Sequence, residues 1–213
     1  MRSESFSPQS LNSNVELSKI PGGYALDKEL NSLDRFVLDY VSVLDREKIG
    51  YVIVSGYVAI LFGRSRSSED VDMLIGKIGR EKFFKLWEDL SCKFECLNTR
   101  DPADAYDEYL LNDTALRFSY PGKFIPNMEA KFPKKPLDFW TLEHSQKVIL
   151  NKRMIRISPI EVQIPFKLFL GSEKDIEDAA HLYEVFKQRL DIGLMEDFAR
   201  RLDVEKEMRR FLK

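Results

Sequence analysis

Apolar residues along this chain follow two rhythms, and the changes between them mark out the elements. From Leu26 to Ile49 they recur at helical spacing, with Leu30, Leu33, Phe36, Val37, Tyr40, Val41 and Leu44 on one side. That predicts an amphipathic helix ending before Gly50. Tyr51 to Val54 is a short unbroken apolar run that reads as a buried strand turning at Ser55-Gly56. Val58, Ile60, Leu61 and Phe62 predict a short buried helix as far as Gly63. After a polar stretch, a second strand reaches Ile75 and carries Asp70 and Asp72. Phe83, Phe84, Leu86, Trp87 and Leu90 mark another helix between Gly79 and Leu90, and Lys93 to Leu97 a short strand.

Further on, Asp101-Pro102 reads as an N-cap and first-turn proline opening a short helix whose acids, Asp101, Asp104, Asp107 and Glu108, form a solvated face. Residues 115–120 and 127–132 read as strands joined through Pro121-Gly122 in a hairpin. Asp138 belongs to a helix start at Pro136, and residues 147–157 read as a hairpin turning at Asn151-Lys152. Ser158-Pro-Ile-Glu161 has the residues of a capping box, so a helix is predicted from there to Gly171-Ser172. Another helix follows, on which Lys174, Asp178 and His181 share a face by their spacing. Residues 190–213 are helical and highly charged, with Leu194, Phe198, Leu202 and Met208 as the buried stripe. Residues 1–24, rich in Ser, Asn and Pro, are expected to be mobile or draped over the surface.

Composition narrows the functional classes without choosing one. At 213 residues and 44% hydrophobic, the chain can bury one good core. Its net charge of −2 argues against indiscriminate polyanion binding but leaves room for a local basic groove. No apolar run is long enough for a membrane span, and residues 1–10 lack the apolar stretch of a signal peptide. Cys92 and Cys96 have no Cys or His cluster around them, so they are expected to be buried thiols in a reducing, cytoplasmic compartment rather than zinc ligands.

The chemistry concentrates in residues 55–72. In a strand, Asp70 and Asp72 project from the same face, roughly 7 Å apart. Two carboxylates there repel, and a hard divalent cation with oxygen ligands is the simplest compensation. Gly56, at the turn into a helix, lets backbone amides approach an anion. Arg64, Ser65, Arg66, Ser67 and Ser68 add cations and hydroxyls beside the acids. Glu129 is an acid in an otherwise apolar strand and needs a reason to be there.

Ser55-Gly56 followed by Asp70-Val-Asp72 resembles the nucleotidyltransferase superfamily that includes DNA polymerase β. The run from Gly63 through Arg64, Arg66 and Ser68 to Asp72 is most similar to its AbiEii-type branch, which usually has Thr where this chain has Ser68. The resemblance continues with Ile157-Ser-Pro-Ile-Glu161, Lys167 and Lys174-Asp175-x-x-Asp178, and covers about residues 50–185. It implies an α+β fold: a mixed β-sheet flanked by helices with a C-terminal helical segment, divided as a flexible 1–24, a core of 25–158 and a helical subdomain of 159–213.

The resemblance further implies transfer of a nucleoside monophosphate from a nucleoside triphosphate to an acceptor hydroxyl. Two Mg²⁺ ions would be held by Asp70, Asp72 and Glu129, the last standing where the family more often has Asp. Ser55, Gly56, Arg64, Arg66, Ser68 and Lys174 would face the nucleotide. Lys167 would bind the triphosphate, and Asp178 would orient Lys167 or the acceptor. The implied acceptor is RNA, such as the tRNA 3′ end, or a protein. In the toxin branch a separate antitoxin would be a partner. Two alternatives stand beside this: a nucleotide-binding regulatory module without turnover, and an aminoglycoside-type small-molecule transferase.

Overall fold

The computed structural model describes residues 16–212. The strands expected from the apolar runs form within one sheet: β3 (Tyr51–Val54), β4 (Asp70–Ile75), β5 (Glu95–Cys96), β6 (Leu116–Ser119), β7 (Asn127–Lys131), β8 (Gln146–Leu150) and β9 (Arg153–Ile157). Two more lie in and just beyond the segment 1–24 expected to be mobile or draped over the surface. Glu16–Ile20 (β1) and Gly23–Asp27 (β2) pair antiparallel, and β2 joins β8 in parallel. The period-two alternation that buries Tyr24 and Leu26 spans too few residues to compete with the Ser- and Asn-rich composition before it. The rest of the expected mobile segment, residues 1–15, lies outside the described residues.

Among the described residues the sheet has nine strands in the order β1-β2-β8-β9-β3-β4-β7-β6-β5. It is mixed. The pairs β2–β8, β9–β3 and β4–β7 run parallel, and the other neighbours run antiparallel. Helices α1 (Ser32–Arg46), α3 (Arg80–Ser91) and α5 (Pro136–Glu143) cover it, together with short α2 (Gly56–Leu61). Between α3 and β6, a turn Pro102–Asp104 (α4) widens into a π-helical run over Ala105–Leu110, and Asp101, Asp104 and Glu108 are exposed as expected. The chain closes with α6 (Ile160–Leu170), α7 (Glu173–Phe186), α8 (Ile192–Arg201) and α9 (Glu205–Phe211).

Helix starts depart from expectation in two places. The first helix begins at Ser32 rather than Leu26, because Asn31 and Asp34 form a reciprocal capping box there. Asp34 is fully buried, and its carboxylate also takes the Tyr57 hydroxyl at 2.9 Å and Lys28 Nζ at 3.0 Å. At Ser158 the capping box does not form. Ser158 donates instead to Gln163 Oε1, while Glu161 turns to Gln146 Nε2 and the Asp191 amide. Residues 190–213 are broken into α8 and α9 at Asp203, whose φ is +56°. Phe198 is buried as expected, but Met195, Ala199 and Val204 are the fully covered neighbours, and Leu194, Leu202 and Met208 are only half-buried. Cys92 is exposed and Cys96 half-buried, so neither is the fully buried thiol expected.

The C-terminal helices are fastened to the sheet by an aromatic joint. Phe186 of α7 packs edge-on against Tyr24 of β2 at 4.8 Å and against Phe62, just past α2, at 4.7 Å. All three rings are buried. Phe186→Ala is therefore expected to destabilise the fold by about 3–5 kcal/mol. Urea unfolding should read this as a lower midpoint at unchanged slope.

Candidate active site

The face of the sheet that carries the acids is set by strand register. Val71, Met73, Met128 and Ala130 point into the core, so Asp70, Asp72 and Glu129 share the opposite face. Pairing of β4 with β7 sets Asp72 directly beside Glu129 and Asp70 beside Asn127. On the other side of β7, Arg117 stands in register with Glu129, and its Nε lies 3.2 Å from Glu129 Oε1. Asp138 caps the start of α5 as expected: it accepts the amides of Lys134 and Lys135.

Crowding of like charges shows in the acids themselves. Burial, and then the charge of Asp70, push the Asp72 carboxyl above its ordinary range, while the Ser55 hydroxyl, Lys131 and Lys167 oppose the shift. Burial, then Asp72 and Asp70, push Glu129 up as well, against Arg117 and Lys131. Asp70 is exposed, and Ser68 donates to its carbonyl at 2.9 Å and to its carboxylate at 3.3 Å. Even so, among the described residues no three His, Cys, Asp or Glu side chains converge closely enough to enclose a metal ion. Arg117 draws Glu129 to one side and Ser68 holds Asp70 at the other. The donor set of three carboxylates and neighbouring hydroxyls fits a hard cation in chemistry, and their mutual repulsion would be relieved by one.

The turn after β3 is strained at Ser55, which has φ +62° without being glycine. Its carbonyl takes Gln163 Nε2 at 2.7 Å, so α6 grips the turn from behind. Gly56 is required by packing as well as by any ligand. A Cβ there would stand 2.3 Å from Nη2 of Arg66. Arg66 cannot easily give way, because its guanidinium is held bidentate by Asp178, at 3.0 and 2.9 Å.

Asp178, fully buried, is the hub of a network that the sequence only partly suggested. Besides Arg66 it accepts Lys167 Nζ at 3.1 Å, and Arg64 Nε lies 3.8 Å away. Lys167 also reaches Asp175 at 2.6 Å, and Arg64 also bonds Glu177. Burial pushes Asp175 up, but bonds from Lys167 and Ser172 outweigh it and leave the carboxyl below its usual value. Three cations thus meet three carboxylates. Lys167 is only 1% exposed and spends two of its three donors on acids, so it serves first as the junction of α6 and α7 rather than as an open phosphate ligand.

Lys174, expected to face the nucleotide, is exposed and forms no ion pair within this network, while the adjacent Asp175 bonds Lys167. The i, i+3 spacing of Asp175 and Asp178, together with a lysine in an apolar helix needing a partner, was the available signal. His181 does not join either. Its Nε2 lies 3.0 Å from the Phe62 carbonyl, and burial, with Arg64 nearby, holds the imidazole below its usual value. A cavity of about 500 Å³ lies away from the acids, lined by Lys19, Tyr24, His144, Gln146, Glu161 and Arg189 among others.

Asp178→Ala would take from Arg66 its bidentate carboxylate and leave buried Lys167 with Asp175 alone. It is expected to cost about 3–5 kcal/mol, far more than Lys174→Ala, which should be within about 0.5 kcal/mol of the parent. Paired thermal and denaturant melts of the two variants check this.

No family model matches the chain, and no curated protein matches it in sequence. Solved structures do match. An antigenic nucleotidyltransferase-like protein from Paracoccidioides brasiliensis aligns with a TM-score of 0.51 and 17% identity, covering 85% of this chain and 93% of that one. The antibiotic-resistance factor ANT(2″)-Ia, known from a solution structure, aligns with a TM-score of 0.51 and 11% identity, over 84% of this chain and 97% of its own. At these identities the likeness is one of fold: the chain has a nucleotidyltransferase-like α+β architecture, a mixed sheet flanked by helices.

Proposed function

We propose that the chain is a nucleotidyltransferase dependent on a divalent cation, Mg²⁺, moving a nucleoside monophosphate from a nucleoside triphosphate to an acceptor hydroxyl. One observation carries the reading: Asp72 and Glu129 stand in register on parallel strands, with Asp70 on the same face and the strained Ser55-Gly56 turn beside Asp72. Fold-level likeness supports it but does not choose the reaction.

In this reading Asp70, Asp72 and Glu129 hold the cations, which when bound would polarise the phosphate and neutralise charge on the departing pyrophosphate. The acceptor oxygen forms a bond to the α-phosphorus as the bond from that phosphorus to the bridging oxygen of pyrophosphate breaks. Asp70 or Glu129 takes the proton of the acceptor hydroxyl. Ser55 and the Gly56 amide meet the terminal phosphates, and Arg66, fixed across that turn, adds positive charge there. Arg64 and Lys167 contribute field through the Asp178 network rather than by direct contact.

Membership of the AbiEii-type branch is supported by the order of its two motifs, with RNA such as the tRNA acceptor end, or a protein, as acceptor and an antitoxin as partner. A small-molecule acceptor is favoured by one observation, the structural likeness to ANT(2″)-Ia. Incubation with labelled nucleoside triphosphates, Mg²⁺ and either total tRNA or an aminoglycoside separates them by where the label goes. Asp72→Asn should reduce transfer by more than the roughly 10–100-fold that loss of an outer partner of a metal site costs. Full activity in that variant would end the proposal.

The raised carboxyls also dictate a pH dependence. An acid whose folded value lies above its unfolded one is paid for in stability once it ionises, so the penalty is present at neutral pH and fades as pH falls through the raised values. Asp72→Asn is therefore expected to be at least as stable as the parent at pH 7, with the gap closing by about pH 4. Urea melts at the two pH values test it. Cation affinity should fall over the same interval, because protons compete for the same oxygens.

A further inference from the structure

Away from the acid face, the cavity of about 500 Å³ opens between the β1–β2 hairpin and the junction of α7 with α8. Its size lies within the roughly 300–1,000 Å³ of small-molecule sites. The walls are set by backbone contacts. Lys147 donates its amide to the Gly22 carbonyl at 3.0 Å, and a Cβ at Gly23 would run into the Lys147 carbonyl, so the hairpin lies directly against β8. Lys19 Nζ reaches the Arg189 carbonyl at 3.4 Å and ties the hairpin to the chain just past α7. His144, stacked on Trp140 with ring centroids 4.1 Å apart, stands at the same opening.

Two side chains in this lining are almost fully covered and yet lack the partner their chemistry asks for. Glu161 is 5% exposed. Its carboxylate accepts Gln146 Nε2 at 3.1 Å and the Asp191 amide at 3.2 Å, both neutral donors, and among the described residues it forms no ion pair. Tyr24 is 2% exposed, and among the described residues its hydroxyl makes no hydrogen bond. Burial, then the charge of Glu161, push that hydroxyl up to about 12 while Arg189 opposes them, which sets an anion and a guanidinium around it.

The charged groups around the cavity are Lys19 and Arg189 against Glu161 and Asp191, with His144 beside them. Asp191 is engaged as the N-cap of α8, where it accepts the Leu194 amide at 3.0 Å. Arg189 gives Nη1 to the Val185 carbonyl at 3.1 Å, and among the described residues neither it nor Lys19 meets a carboxylate. A wholly anionic ligand would face Glu161 and a wholly cationic one Arg189. The lining therefore selects a molecule carrying one charge of each sign.

We propose that this cavity binds a small zwitterion of the α-amino-acid class, its ammonium on Glu161, its carboxylate on Arg189 and Lys19, and the Tyr24 hydroxyl between them. The planar fork of a guanidinium matches a carboxylate. Such a site does not depend on the reaction carried out at the acid face. Tyr24 also belongs to the aromatic joint with Phe62 and Phe186, so a ligand held by its hydroxyl would tighten the seat of α7.

The probes are the free L-amino acids, each added alone to the full chain in a thermal melt, and the one that raises the melting temperature most is carried into calorimetric titration. Its methyl ester, which lacks the carboxylate, and its N-acetyl derivative, which lacks the ammonium, should each bind about 10–150-fold more weakly. Arg189→Met and Glu161→Gln should weaken binding of the free amino acid by about the same factor, the latter keeping an acceptor for the Asp191 amide. Tyr24→Phe keeps the ring of the aromatic joint, so it should melt like the parent while binding about 2–10-fold more weakly. No binding of any free amino acid by the parent protein, an ester or acetyl derivative that binds as tightly as the free amino acid, or full affinity in Arg189→Met or Tyr24→Phe would each overturn the site. Should Glu161→Gln fail to fold, the other two variants and the two derivatives decide alone.

Discussion

Register between β4 and β7 is the constraint on which the candidate site depends. Side chains alternate strictly along a strand, so a slip by one residue would send Asp72 into the core and Val71 onto the acid face. The buried set of Val71, Met73, Met128 and Ala130 makes that slip costly, and in doing so holds two like charges side by side. Core packing thus sustains an electrostatic conflict at the surface, visible in the raised carboxyls of Asp72 and Glu129.

The second organising feature is the balanced cluster around Asp178. It draws together the loop after α2 and the consecutive helices α6 and α7, with Arg66 and Asp178 112 residues apart in sequence. A buried ion network of this kind is a poor source of net stability, because desolvation offsets most of the attraction. Its effect is geometric. Arg66 is laid across Gly56 and kept there, which explains the glycine without any ligand and at the same time brings a cation to the turn. Lys167 belongs to the same arrangement, and its field reaches Asp72 even though its ammonium is enclosed.

Much of this was legible in the residues, for reasons that can be named. Apolar runs and their punctuation located β3, β4, the β6–β7 hairpin and the β8–β9 hairpin, whose turn at Asn151 and Lys152 has positive φ at both positions. Glu129 stood out because an acid in an apolar strand is costly, and the structure sets it beside Asp72. Pairings decided by distant partners were less visible. The β1–β2 hairpin owes its place to β8, over a hundred residues on. Ser158 and Glu161 have the residues of a capping box but find better partners in Gln163, Gln146 and the Asp191 amide. Lys174 and Asp175 are adjacent, and only the packing of α7 on α6 determines which of them turns inward.

Helix α2, with six residues, is too short to hold its own orientation. Its last turn is met by His181 from α7 through the Phe62 carbonyl, and Phe62 is wedged against Phe186 of the same helix. Ser55, at the other end of α2 and held by Gln163 of α6, is thus coupled to α7 as well. Any ligand or partner that tilted the C-terminal helices would act as a lever on the turn beside Asp72, more than a hundred residues away along the chain yet one rigid rod away in space.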